Sequence, residues 1–261
     1  MHSNLRVIIS SCKLQMKQSF SRSMFKFCII VYPILAAITF YLIYSDKKDE
    51  ALIPYVFLGT AITSMWSSIS FSSAGDIDRE RFMGALEVIF SAPTQFRIIM
   101  LGKVLGNTIL GIASMLVSFL VVTLLFDARF TLAHPILFFT SMLLGIISFI
   151  FIALLLSGLL AISRNTRVWM NCIDFPVFIL CGTYFPIEVL PTWIKPLCYV
   201  LSPTYVLKLA RMSISGIADY SIFYRYMLGL LIVSIFYFLG YLRFYEIIDI
   251  RARKDATLEV L

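Results

Sequence analysis

The chain has 261 residues, of which 60% are apolar and only 14% charged, against roughly 45–50% and 25% in an ordinary soluble domain. A water-soluble fold of this size is excluded, so lipid is the solvent for much of the surface. The formal charge of +7 could point to nucleic acid, but Lys and Arg are scattered between apolar runs and build no basic, aromatic-interleaved domain. The excess reads as topology information instead.

Residues 4–22 come first. Leu5, Ile8, Ile9, Cys12, Met16 and Phe20 recur at helical spacing on one face, with Arg6, Lys13 and Lys17 beside it. The pattern predicts an amphipathic helix lying in the inner membrane interface, either as a plain anchor for the first span or as a mechanical part.

Residues 25–44 begin too late and run too long for a cleaved leader, and they lack a small-residue cleavage site. A spanning helix needs about 20 apolar residues, and this run supplies them. Asp46-Lys47-Lys48-Asp49-Glu50 then make a short exposed turn, and residues 52–73 return as a second span. Further spans are expected at 104–126, 135–162, 168–185 and 226–244. The runs are continuous rather than alternating, which favours helices over a β-barrel. The expected fold class is an all-α integral membrane protein of six transmembrane helices in a single domain, placed in the cell membrane. Most of the 22 Lys and Arg fall on the N-terminal side of that topology. Of the rest, Lys195, Lys208, Arg211 and Arg225 sit in one long loop where the charge rule is weak, so both termini are assigned to the cytoplasm.

The inner segment 76–103 is the most informative. Asp76 to Arg81 is densely charged, Phe82, Leu86, Ile89 and Phe90 come next on one helical face, and Pro93 stops the helix. A short amphipathic helix with Glu80, Arg81 and Glu87 on its other sides suits a groove on a soluble partner; the alternative is a helix resting on lipid headgroups. Gly102 and Gly106 set a GxxxG spacing at the start of the third span, where small residues let helices approach.

Asn171 and Asp174 stand one turn apart in the fifth span, with Pro176 just beyond. A central carboxylate costs about 2.5–3.5 kcal/mol on insertion scales, so Asp174 is either compensated by interface or helix contacts or lines a water-accessible path. Outside, Phe185-Pro186, Leu190-Pro191-Thr192-Trp193 and Ser202-Pro203-Thr204-Tyr205 mark residues 186–225 as a partly ordered segment, an aromatic belt or an exit lid.

Chemistry is sparse. No GxxxxGK followed by Ser or Thr occurs, so the chain is not expected to bind ATP itself. His2 and His134 lie too far apart for a triad or a metal pair. Cys12, Cys28, Cys172, Cys181 and Cys198 show no CxxC spacing and read as free, buried thiols, with a Cys181–Cys198 pairing left open. A membrane-embedded transferase would need clustered acid and base groups, and only Asp174 and Glu188 offer themselves, far apart. An ion-coupled carrier would show internal repeats and paired broken helices, and no clear repeat is visible.

Taken in order, these residues resemble the permeases of type-2 ABC exporters over nearly the whole chain. That family's inner pattern, Gly-Thr-Leu-Glu leading to a proline and then Gly-Lys entering the third span, is similar to Gly84-Ala85-Leu86-Glu87, Pro93 and Gly102-Lys103. Its outer pattern, Phe-Pro, Leu-Pro-x-Trp, Asn-Pro-x-Tyr and a distal Arg, is similar to Phe185-Pro186, Leu190 to Trp193, Pro203 to Tyr205 and Arg211. Ala85 stands where the family has Thr and Ser202 where it has Asn, so polar contacts of those side chains are not carried over.

The resemblance implies a subunit that is not itself an enzyme. It would dimerise with a like or unlike permease and couple to two copies of a separate cytoplasmic ATPase that holds ATP and magnesium. It would export an amphipathic or lipid-linked substrate by alternating access. Glu80, Phe82, Leu86, Glu87, Ile89 and Pro93 become the expected ATPase-coupling element, and residues 186–225 the expected outer re-entrant helices. Asn171, Asp174, Phe185, Pro186, Trp193 and Tyr205 are the candidates for the translocation path or outer gate.

Overall fold

The computed structural model describes residues 2–44, 52–92, 94–126, 132–162, 168, 177–183 and 187–255, and within its helices it leaves some side chains, Glu87 among them, undescribed. No strand occurs among the described residues. Helix α1 (His2–Ser21) is separated from α2 (Ser23–Tyr44) by Arg22 alone. Helix α3 (Leu52–Trp66) passes through a π-helical turn (Ser67–Phe71) into α4 (Ser72–Phe82), and α5 (Ala85–Ser91) and α6 (Phe96–Phe126) follow. Then come α7 (Pro135–Ile162), a 3-10 turn (Ile187–Val189), α8 (Lys195–Cys198), α9 (Ser202–Ser215) and α10 (Tyr220–Asp255).

Phe96–Leu124, Pro135–Ala161 and Tyr220–Ile248 are long and apolar enough to cross a membrane, and Ile30–Thr39 is a shorter apolar stretch. At 1.5 Å per residue the 31 residues of α6 reach about 46 Å, well beyond a hydrocarbon core of about 30 Å. That helix begins at Phe96 instead of 104, so its length exceeds the expected span at the N-terminal end. Most of the span expected at 168–185, including Asn171 and Asp174, lies outside the described residues; residues 177–180 are helical.

The packing has two halves. Helix α6 carries α1, α2 and α3, while α7 carries α10, α9 and α4. Aromatic contacts lock the interior. The Trp66 and Phe149 rings meet edge-on at 5.4 Å. Phe90 stacks on Phe96 at 4.4 Å, and Phe96 on Tyr245 at 5.5 Å, which pins α5 to α6 and α10.

The π-turn has a cause in the sequence. Ser67, Ser68, Ser70, Ser72 and Ser73 crowd this stretch, and Ser73 Oγ donates back to the Ile69 carbonyl. Serine hydroxyls compete with the backbone for carbonyls and loosen a helix. The backbone stays helical on both sides, at Trp66 (φ −57°, ψ −51°) and Ser72 (φ −63°, ψ −45°), so α3 and α4 form one continuous run.

The single helix expected from Phe82 to Phe90 does not form. The Met83 and Gly84 N–H groups close α4 by donating to the Arg79 and Arg81 carbonyls at 2.9 and 3.1 Å. Gly84 takes φ +69°, a left-handed conformation that a β-carbon disfavours and that commonly ends helices. The chain restarts as α5 in a new direction, so Phe82 shares no face with Leu86, Ile89 and Phe90.

Candidate functional site

One end of the molecule is assembled on the first turns of α6. Gly102 and Gly106 present bare backbone to α1: a β-carbon added at Gly102 would lie 2.6 Å from the Ile8 carbonyl oxygen and 2.7 Å from Ser11 Cβ. At Gly106 it would lie 3.0 Å from the Cys12 oxygen. The GxxxG spacing therefore seats the N-terminal helix rather than another span. The face of α1 that meets α6 is small and polar, with Gln15 and Ser19 fully buried, while Leu5, Ile9, Leu14 and Phe20 are exposed. The apolar stripe read from the sequence is divided: Leu5, Ile9 and Phe20 stay exposed, while Ile8 and Cys12 meet α6 and Met16 packs on Leu110.

Asp76 of α4 is the hub of a buried polar cluster. Gln15 Nε2 donates to Asp76 Oδ2, and the same nitrogen lies 3.0 Å from Asn107 Oδ1 and 3.2 Å from Ser19 Oγ. Asn107 Nδ2 donates to Asp76 Oδ2 at 3.0 Å and to Ser73 Oγ at 3.1 Å. The other carboxylate oxygen accepts from Arg22 Nη2 at 2.7 Å, with Arg79 Nη2 at 3.5 Å. A buried carboxylate is tolerable only with such compensation. One aspartate thus binds α1, the α1–α2 junction, α4 and α6 together.

The next turn of α4 is fixed as well. Glu80 is buried and pairs with Lys103 of α6, so the expectation that it faces a soluble partner is corrected: α4 continues α3 through the π-turn and turns this carboxylate onto α6. Arg81 Nη2 reaches the Leu160 and Ala161 carbonyls at the end of α7, where a cation meets the negative pole of a helix.

Among the described residues of the corner, three apolar side chains face outward. Phe82 is 88% exposed and Val88 71%, with Met83 exposed between them, whereas Leu86 is only 5% exposed and Ile89 and Phe90 pack against the core. The α4–α5 corner therefore presents Phe82, Met83 and Val88 from a base held by Asp76, Lys103, Arg81 and Phe90. Met83 and Val88 escape a sequence reading because they lie off the periodic face; the glycine that breaks the helix is the available signal. Pro93 and the Glu87 side chain lie outside the described residues.

An exposed apolar corner on a buried polar base, among long apolar helices, is what the comparison with known families has to account for. The family model described as ABC-2 type transporter matches residues 6–215. The chain belongs to the ABC-2 type transporter family. The match runs from α1 through α9 and includes the polar hub and the α4–α5 corner. No curated protein matches the chain at a significant level. As an ABC-2 transporter domain, the chain is a permease subunit, and the family's task is transport rather than catalysis.

On the opposite side of this ABC-2 permease, Tyr205 belongs to a cluster around Lys208 of α9. Tyr205 OH donates to the Tyr199 carbonyl at 2.8 Å. Lys208 Nζ lies 3.0 Å from Glu188, 3.3 Å from Tyr226 OH and 3.5 Å from Tyr199 OH, and it sits over the Tyr226 and Tyr199 rings at 5.0 and 5.5 Å. Burial works against the Lys208 charge, but Glu188 and Tyr226 outweigh it and raise its pKa. Burial likewise opposes ionisation of Glu188, yet a backbone hydrogen bond and Lys208 hold its carboxyl below the usual value. Trp193 is exposed and apart from this cluster, and Phe185 and Pro186 lie outside the described residues. Cys12, Cys181 and Cys198 are free thiols, the last two buried, so the possible Cys181–Cys198 pairing is not made.

Proposed function

We propose that this ABC-2 permease is the membrane half of an ATP-driven exporter, moving an amphipathic or lipid-linked substrate out of the cytoplasm by alternating access. In this reading it has six spans with both termini cytoplasmic, dimerises with a second permease, and couples to two copies of a separate ATPase that carries ATP and magnesium. The observation that carries the reading is the α4–α5 corner, where Phe82, Met83 and Val88 stand out from a base tied to α6 by the buried Glu80–Lys103 pair, to α1 and the α1–α2 joint through Asp76, and to α7 by Arg81 hydrogen bonds. Exposed anchors on a stiff mount suit a partner that must push or be pushed, and a motif-free chain needs such a partner to use ATP. The outer gate is assigned to Trp193, Tyr205, Phe185 and Pro186, and the polar path to Asn171 and Asp174.

The test is purification in gentle detergent from the native membrane. A separate ATP-binding subunit is expected to accompany the chain, and transport by the reconstituted permease is expected to need it. Substrate movement by the chain alone, driven by no ATPase, would overturn the reading. For the path, Asp174→Asn keeps shape and removes charge; it is expected to change transport rate or preference while assembly is preserved. Unchanged transport of several amphipathic substrates would return Asp174 to a structural role.

A further inference from the structure

We propose that α1 is a contact for anionic lipid headgroups of the inner leaflet and that its seating there is passed through Gln15 and Arg22 to Asp76. The proposal rests on the cytoplasmic assignment of the N-terminus made above.

Helix α1 has three faces with different fates. Its small polar face is spoken for, since Gln15 and Ser19 are buried against α4 and α6 and the glycines of α6 meet Ile8, Ser11 and Cys12. Its second face, Leu5, Ile9 and Phe20, is exposed, and its third, Arg6, Lys13 and Lys17, is exposed beside it. Among the described residues nothing covers these two outer faces.

Charge and geometry identify the occupant as a lipid surface. Helix α1 contains no Asp or Glu, so the edge presents one sign only, and Lys26 in the first turn of α2 extends it. The exposed apolar residues from Leu5 to Phe20 extend about 22 Å along the axis with cations beside them, an amphipathic pairing that suits the boundary between headgroups and acyl chains. Arg22 alone separates α1 from α2, so the helix is held where the chain enters the bilayer. A polybasic edge at that level attracts anionic headgroups and is weakened by salt. Movement of α1 cannot leave the inner corner unaffected, because Gln15 and Arg22 both bond Asp76.

The full chain would be placed in nanodiscs of phosphatidylcholine alone or mixed with phosphatidylglycerol, and amide hydrogen exchange followed without any ATPase. Exchange in residues 2–21 is expected to slow on the order of tenfold with phosphatidylglycerol. High salt and the combined Arg6→Gln, Lys13→Gln, Lys17→Gln variant should each remove the difference. Residues 72–82 should slow in step with α1, and in the combined Gln15→Ala, Arg22→Gln variant they should cease to follow while α1 still responds. A bimane on Ile9→Cys, with the native cationic edge intact, gives a second reading should the triple variant fold poorly: its emission should shift to the blue with phosphatidylglycerol. Equal exchange and emission in both lipids, a difference that survives the triple variant, or protection that arises only from a second copy of the chain would overturn the proposal. Because no ATPase or substrate is present, this outcome is independent of the export reading.

Discussion

Arg22, at the joint between the first two helices, places Nη2 2.7 Å from Oδ1 of Asp76, whose side chain is almost wholly buried. The contact joins residues 54 positions apart and ties the N-terminal helix to the base of the α4–α5 corner. Asp76→Asn is expected to leave the long helices inserted while loosening α1. A double-mutant cycle with Arg22→Gln, read by thermal unfolding of the purified chain, should give a coupling of about 1.5–3 kcal/mol. A value near zero would mean that the pair contributes no stability.

Gly102 gives a sharper structural test. An added β-carbon meets the Ile8 backbone oxygen, which cannot yield as a flexible side chain would. Gly102→Ala should cost about 1–3 kcal/mol through overpacking and displace α1. Crosslinking between positions on α1 and α6 should fall accordingly, while α7–α10 contacts stay as they are.

The α4–α5 corner separates two kinds of apolar residue. Phe82→Ala and Val88→Ala should leave thermal stability within about 0.5 kcal/mol, as for ordinary surface changes, yet weaken ATPase binding by about 1–4 kcal/mol. Leu86→Ala should instead destabilise the chain by about 2–5 kcal/mol, because its side chain is buried. Equal ATPase affinity in all three variants, at matched expression, would leave the corner a lipid-resting element.

The Glu188–Lys208 pair sets a pH dependence at the end of the molecule away from Asp76. The Glu188 carboxyl is held low, so its contribution is present above its unfolded pKa and is lost as pH falls through its folded value, below the ordinary carboxylate range. Lys208 is held high, so its contribution is complete below its unfolded pKa and is lost only as pH rises through a value above the ordinary lysine range. Between these limits the stability difference between wild type and Glu188→Gln should be flat and small, since Glu188 is 68% exposed and screened. Melting curves across pH would show the difference closing at the acid end.

Part of this architecture is legible in the sequence. Hydropathy locates α6, α7 and α10 because lipid imposes long apolar helices, and periodicity locates α1. Composition cannot reveal that α1 seats by its polar face, since the deciding partners, Gly102, Gly106 and Asn107, lie about ninety positions along the chain. Glu80 misleads for a related reason: charge density near a helix end suggests solvent, and only the placement of Lys103 turns the carboxylate inward. Phe82 falls on the wrong face when periodicity is carried through Gly84 as if the helix continued.

The π-helical turn between Trp66 and Ser72 carries one more residue than an α-helix would over the same rise. Each residue in an α-helix advances the side-chain direction by about 100°, so that extra residue sets the angular phase of everything after it. The face of α4 that directs Asp76 at Gln15 and Glu80 at Lys103 is thus indexed by a serine-rich stretch a turn or more upstream. Removing one serine there would keep every charged residue in the chain and leave the helix helical, yet rotate the two carboxylates away from their partners. The sequence interval between Trp66 and Asp76 acts as a phase key, and its length matters as much as its composition.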